Sequence, residues 1–157
     1  MMTQTKKNLR AALYIRVASY EQLGEPVTAL YCRTATPSDE GITAQKDLLM
    51  RHADMNGYKY CVTFVDNGES GADINRPAFQ DMQKGIESGY IKRVVISDFS
   101  RLCRNMVLTN ELLTLFQKYG VELISVKDGF NSFDKTESKP LFNLSSAFLK
   151  PRAGYNE

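Results

Sequence analysis

The chain has 157 residues, of which 43% are hydrophobic and 24% are charged, and its formal net charge at pH 7 is +2. These values are typical of one globular domain with a real core, and a dedicated nucleic-acid-binding protein is usually more basic. Three widely spaced cysteines and the single histidine, His52, argue against a disulfide framework, a zinc site or a histidine-based triad.

The first predicted element contains a phrase that occurs twice. Residues 12–18 read ALYIRVA and residues 29–35 read ALYCRTA, so five of the seven positions are identical. Both copies lie in short apolar runs with β-branched and aromatic residues, which predicts strands over residues 11–18 and 28–34. The sequence Gly-Glu-Pro at 24–26 indicates a turn between them.

Downstream, predicted strands alternate with predicted helices. The predicted strands cover residues 60–65, 94–96 and 121–126, and the predicted helices cover about 40–55, 77–89 and 106–119. Residues 98–105 form a polar segment, residues 127–139 are predicted as a polar loop, and residues 140–149 as a helix that Pro151 ends. This alternation predicts an α/β fold with a mostly parallel sheet, in which sites form beyond the carboxyl ends of the strands.

Polar residues cluster where these strands end. Arg101 and Arg104 follow the predicted strand at 94–96 and share one face if their segment is helical. Two guanidinium groups together suit a phosphate and the charge that grows on it during phosphoryl transfer, but alone the pair also fits a solvated helix start.

Three further residues have two interpretations each. Arg76 lies between a glycine-rich loop and Pro77. This segment is either an anion site at a helix N-terminus or an ordinary connection from a loop to a helix. Asp66, at the end of its strand, either orients an arginine or caps a turn. Gln45 is expected on the exposed edge of the first helix, where a glutamine usually has no specific role.

In combination, the motifs resemble the catalytic domain of the serine site-specific recombinases, the resolvases and invertases. The matching pieces, in chain order, are YCR at 31–33, GITAQ at 41–45, FVDNGESG at 64–71, NRPAF at 75–79, VVISDFSRLCRN at 94–105 and GVELISVKDG at 120–129. The resemblance extends from about residue 28 to about residue 149, in order and spacing.

The resemblance implies a three-layer α/β/α domain with a five-stranded, mainly parallel sheet and an antiparallel edge strand. It also implies a serine hydroxyl that attacks a DNA phosphodiester, forms a 5′-phosphoserine link and exchanges strands in a synaptic tetramer without metal or ATP. By motif, the phosphate would be surrounded by Arg33, Arg76, Arg101 and Arg104 and supported by Gln45 and Asp66. Ser100 stands where the small resolvases have aspartate.

The nucleophile position departs from the family pattern, because Ala18 and Ala35 occupy it in the two copies of the phrase. A methyl group cannot attack phosphorus. Ser19 is a possible displaced nucleophile, although a shift of one residue on a strand turns a side chain to the opposite face. The chain is therefore an active or formerly active recombinase domain, a non-catalytic paralogue that binds DNA or an active recombinase, or a generic flavodoxin-like domain for a small phosphate ligand.

The domain limits follow from the spacing of the motifs. The second copy of the phrase runs into residues 41–45 at the normal spacing, which favours it as the first strand of the domain. We expect an arm over residues 1–27, the resolvase-like domain over 28–149 and a tail over 150–157 without a DNA-binding domain. The expected partners are DNA and further copies of the chain, with no membrane and no cofactor, in the cytoplasm.

Overall fold

The computed structural model describes residues 26–134. Its strands are β1 (Val27–Thr34), β2 (Tyr60–Asn67), β3 (Ile91–Ile96), β4 (Glu122–Ser125) and β5 (Phe130–Asn131). Its helices are α1 (Asp39–Met55), α2 (Pro77–Glu87), α3 (Phe99–Leu102) and α4 (Met106–Lys118). No helix within these residues is long and apolar enough to span a membrane.

One sheet contains all the described strands, in the order β2-β1-β3-β4-β5. The first four run parallel, and β5 pairs with β4 in the antiparallel direction. The predicted five-stranded, mostly parallel sheet with an antiparallel edge strand is confirmed. The short strand β5 lies within residues 127–139, which the sequence predicts as a polar loop, so that expectation was wrong. The polar segment 98–105 contains the one-turn helix α3.

The second copy of the repeated phrase forms β1, at the centre of the parallel part of the sheet. Each residue of β1 is buried. It pairs along its whole length with β2, ending at Arg33 opposite Asp66 and Thr34 opposite Asn67, whereas its pairing with β3 stops at Leu30 opposite Val95. The first copy of the phrase, with Ala18 and Ser19, lies outside the described residues.

Helices cover both faces of the sheet, which gives the predicted three layers. On one face, Phe79 and Met82 of α2 and Phe116 of α4 pack with Ala29 and Tyr31 of β1. The residues that alternate with those on β1 face the other side and pack against α1, through Leu30, Cys32, Ile42, Leu49 and Ala53.

Residues at the end of β2 hold the turn from β1 into α1 in place. Asn67 accepts hydrogen bonds from Thr34 Oγ1 and the backbone N–H of Ser38, both at 2.8 Å, and Ser38 is the N-cap of α1. Gly68 follows with a φ of 83°, and a Cβ there would lie 2.8 Å from Pro37 Cγ. The side chain of Asn67 and the bare backbone of Gly68 thus bring the two loops together at the carboxyl edge of the sheet.

Phe79 tests how much of the stability comes from the core beneath this edge. Its ring is completely buried and meets the Tyr31 ring edge-on at 5.6 Å between centroids. We expect Phe79→Ala to lower the free energy of unfolding by about 3–5 kcal/mol. Met55→Ala, at a side chain that is 86% exposed, should change it by less than about 0.5 kcal/mol. Urea titration of both variants checks this, and similar losses in the two would contradict the packing described here.

Candidate functional site

The carboxyl ends of β1, β2 and β3 bring the four motif arginines into one region. Arg33 is the last residue but one of β1, Arg76 precedes α2, and Arg101 and Arg104 lie in and after α3. The four are not equivalent, because Arg33 and Arg76 are fully buried, Arg101 is partly buried and Arg104 is exposed. The region therefore has an inner pair and an outer pair of arginines.

Arg33 donates to three backbone carbonyls. Its Nε contacts the oxygen of Arg101 at 3.0 Å and its Nη1 contacts that of Glu69 at 2.8 Å. Its Nη2 contacts the oxygen of Ser100. Burial lowers the pKa of Arg33, and the nearby charges of Arg76, Arg104 and Arg101 lower it further. Carbonyls do not neutralise a guanidinium, so the cation leaves an excess of positive charge in the site.

Arg76 is held beside it in a similar way. Its Nη1 donates to Tyr31 Oη and to the carbonyl oxygen of Arg101, both at 3.1 Å, and its Nη2 donates to the carbonyl of Leu102. Its guanidinium carbon lies 4.6 Å from the centre of the Phe79 ring. Its buried Nε has no hydrogen-bond partner within the described residues.

Together the inner pair caps the carbonyl end of α3. A helix leaves its last carbonyl groups without partners inside the helix, and α3 is only one turn long. The carbonyls of Ser100, Arg101 and Leu102 all accept from Arg33 or Arg76. One arginine from β1 and one from the loop before α2 thus fix the backbone that carries the outer pair.

The outer pair does not share a helix face. The helix ends at Leu102, and Cys103 is extended with φ −162° and ψ 151°. Arg101 donates to the carbonyl of Arg33 at 3.1 Å, and its Nε lies 3.3 Å from Asp98 Oδ2. Arg104 continues from the extended residue with its side chain exposed. The condition for two arginines on one helix face, a helical segment through both, is not met, because the helix stops between them.

Gln45 is buried rather than exposed, so the expectation for its position was also wrong. Its Oε1 accepts from the backbone N–H of Arg33 at 3.0 Å, and its Nε2 donates to the carbonyl of Arg33 at 2.9 Å. The pairing of β1 with β3 has already ended at Leu30, so one edge of β1 lacks a strand partner at Arg33. Gln45 satisfies the backbone groups that the sheet leaves open there.

Asp66 combines the two roles considered for it. It accepts from the backbone N–H groups of Ala78 and Phe79 at 2.9 and 3.0 Å, and so caps the first turn of α2. It also accepts from Tyr31 Oη at 2.7 Å, and Tyr31 in turn accepts from Arg76. Asp66 therefore orients Arg76 through a buried tyrosine.

Ser100 belongs to a second polar group beside the arginines. Its hydroxyl donates to Asp98, whose carboxylate is the N-cap of α3 and the ion-pair partner of Arg101. Asp128 accepts from the backbone N–H of Phe99 at 3.0 Å and from Ser125 Oγ at 2.6 Å. The N-cap position of Asp98 is a signal that the sequence contains, whereas nothing in the sequence links Asp128 to a helix 29 residues earlier.

Ala35 is exposed just beyond the end of β1, two residues after Arg33 in the sequence. Of the three hydroxyls within three residues of it, Thr34 donates to Asn67 and Ser38 caps α1, whereas Thr36 is exposed. Across the site, Ser70 accepts from the backbone N–H of Ala72 at 3.1 Å. Residues 26–134 contain no group of three or more His, Cys, Asp or Glu side chains placed to hold a metal ion.

The fold and this site define an α/β domain with an arginine-rich polar centre at the carboxyl edge of a parallel sheet. The family model described as the resolvase N-terminal domain matches residues 28–150. The chain therefore belongs to the resolvase family of serine recombinases.

Solved structures agree with this assignment. The N-terminal catalytic domain of TP901-1 integrase is 29% identical, with a TM-score of 0.69 over 76% of this chain and 91% of that domain. A resolvase family site-specific recombinase from Streptococcus pneumoniae is 31% identical, with a TM-score of 0.64 over 78% of this chain and 87% of that one. Among curated proteins, an uncharacterized immunity region protein 3 of Bacillus phage phi105 is 30% identical over 89 residues, which are 57% of this chain and 90% of that protein.

The buried phenol of Tyr31 and the buried thiol of Cys32, both in β1, predict how stability changes at alkaline pH. Burial raises the pKa of Cys32 from its ordinary 9.0 to about 12 and also raises the pKa of Tyr31 above its ordinary 10.0. The unfolded chain therefore loses these protons first, and stability that is complete below pH 9 falls as the pH rises. Tyr31→Phe should lower stability at pH 7 by about 1 kcal/mol and make the decline above about pH 10 shallower. Urea titrations from pH 7 to 11 measure both effects, and an unchanged decline in the variant would contradict the prediction.

Proposed function

We propose that this chain binds DNA phosphate groups at its arginine site without forming a covalent link to them. The observation that carries the proposal is that exposed Ala35 occupies the position where the resemblance implies the family's nucleophilic serine, while the four motif arginines lie at the same edge of the sheet. Arg101 and Arg104 supply the phosphate contacts, because Arg33 and Arg76 are fully buried, whereas Arg101 is only partly buried and Arg104 is exposed. Ser100 and Asp98 orient Arg101, and Gln45 and Asp66 hold the inner arginines.

The charge of the domain sets the expected strength of this binding. Residues 26–134 contain two more acidic than basic side chains, so they present no broad positive surface. Four of the six arginines among them lie together at the site instead. Binding by the domain should therefore be weak, independent of DNA sequence and strongly dependent on salt.

Duplex DNA of mixed sequence tests the binding. We expect Arg101→Ala and Arg104→Ala each to weaken it about tenfold at low salt and to reduce the slope of log affinity against log salt by about 1, because each removes about one phosphate contact. Fluorescence anisotropy over a range of salt concentrations measures both quantities.

Arg51→Ala is the matched control, since Arg51 is an exposed arginine on α1 and outside the site. It should leave the affinity within about twofold and the slope unchanged. Equal effects of all three substitutions would mean that DNA contacts the surface non-specifically, and no binding by the wild type would exclude the DNA-binding function.

The missing nucleophile makes a second prediction. We expect no covalent adduct when the wild-type chain is incubated with a pool of nicked duplexes of randomised sequence and denatured in detergent, because a methyl group cannot attack phosphorus. Ala35→Ser should produce an adduct if the arginines are placed for transfer. Gel electrophoresis of the labelled DNA detects it.

An adduct formed by the wild type would overturn the proposed non-covalent function. Ser19→Ala, Thr36→Ala and Ser100→Ala would then identify the hydroxyl responsible. Arg101→Ala in the Ala35→Ser background is the control for the site, since it should abolish any adduct that depends on the arginines.

A second candidate function is regulation of an active recombinase. The acidic excess of residues 26–134 favours it, because a surface with more acidic than basic side chains is poorly suited to binding DNA by itself. Such a subunit should lower strand exchange by an active family member on that enzyme's own substrate when added in excess, and the Ala35→Ser variant should lower it less. Unchanged exchange would exclude this function.

A further inference from the structure

Two loops meet beside Arg33 at a contact that the motifs do not explain. The carbonyl oxygen of Gly71 accepts from the backbone N–H of Arg104 at 3.0 Å and from Cys103 Sγ at 3.5 Å. Gly71 and Cys103 are both buried, and we call their contact the Gly71–Cys103 junction. It connects the loop after β2 to the segment between α3 and α4.

A larger residue cannot occupy the glycine side of the junction without moving an arginine. A Cβ at Gly71 would lie 2.7 Å from Arg33 Nη2 and 2.9 Å from its Cζ, and 3.2 Å from Arg104 Cγ. Arg33 has no free direction in which to move, since its three donor groups are bonded to carbonyls. A methyl group at Gly71 would therefore displace the loop, and Arg104 with it.

Cys103 holds the same segment through contacts with its own chain neighbours. Cys103 Sγ lies 3.4 Å from the carbonyl oxygen of Asn105 and accepts from the backbone N–H of Asn105 at 3.2 Å. Asn105 is the N-cap of α4. Arg104 thus stands between two residues whose positions are fixed, while its own side chain is exposed.

We propose that Gly71 and Cys103 are positioning residues that aim Arg104 at the DNA phosphate. The proposal rests on the DNA binding proposed above. A positioning role differs from a purely structural one, because each residue then affects DNA binding only by placing Arg104.

A double-mutant cycle on mixed-sequence duplex DNA tests that dependence. We expect Gly71→Ala to weaken binding about tenfold alone but less than about twofold in an Arg104→Ala background, because the arginine it positions is already absent. Cys103→Ala should behave in the same way, and Cys103→Ser, which retains a donor to Gly71, should recover most of the affinity. Gly89→Ala is the control: a methyl there meets nothing within 4 Å, and the φ of 85° strains the backbone away from the site.

Hydrogen exchange of the Arg104 amide separates this proposal from the DNA-binding one. The amide should be protected in the wild type and exchange at least about tenfold faster in Gly71→Ala, but not in Gly89→Ala. If the wild type binds no DNA, the proposed function fails and this proposal fails with it, whatever the exchange shows. If the wild type binds DNA, then losses that add in the Arg104→Ala background, or an Arg104 amide unaffected by Gly71→Ala, would overturn the positioning role alone.

Discussion

The buried guanidinium of Arg33 is the constraint on which the rest of the site depends. Its donors are divided between the loop after β2 and the helix after β3, so one side chain fixes three segments of the chain at once. Its acceptors are carbonyl dipoles, which satisfy the hydrogen bonds but leave the charge uncompensated. The result is a rigid site with an excess of positive charge, as phosphate binding requires.

The supporting residues can be understood from this arrangement. Gln45 satisfies the backbone of Arg33 at the point where the sheet no longer does so. Asp66 reaches Arg76 only through Tyr31, and burial raises the pKa of that phenol and keeps it protonated. A carboxylate in direct contact would neutralise the arginine, whereas the intervening tyrosine orients it at a smaller electrostatic cost.

Much of this could be predicted from the sequence, because alternating apolar runs and turn residues determine the order of strands and helices. The convergence of Arg33, Arg76, Arg101 and Arg104 also followed, since carboxyl ends of parallel strands meet at one edge. The burial of the site residues and their hydrogen-bond partners could not be predicted from the sequence. Gln45 looked like an exposed helix residue because the early end of the β1–β3 pairing is not visible locally. The acceptors of Arg33 are backbone carbonyls, which every sequence contains and which no motif marks.

Alanine at position 35 is compatible with this fold, because the bonds described for the site within residues 26–134 do not involve that residue. The inner arginines depend on carbonyls and Tyr31, and Gln45 depends on the backbone of Arg33. The arginine site therefore keeps its shape with alanine at position 35. The inner pair of arginines has a role in stability, because it caps α3. The exposed side chain of Arg104 has no such role, because its segment is held through backbone contacts. A charge that the fold does not need, aimed by a junction that excludes even a methyl group, is best explained by a ligand outside the chain.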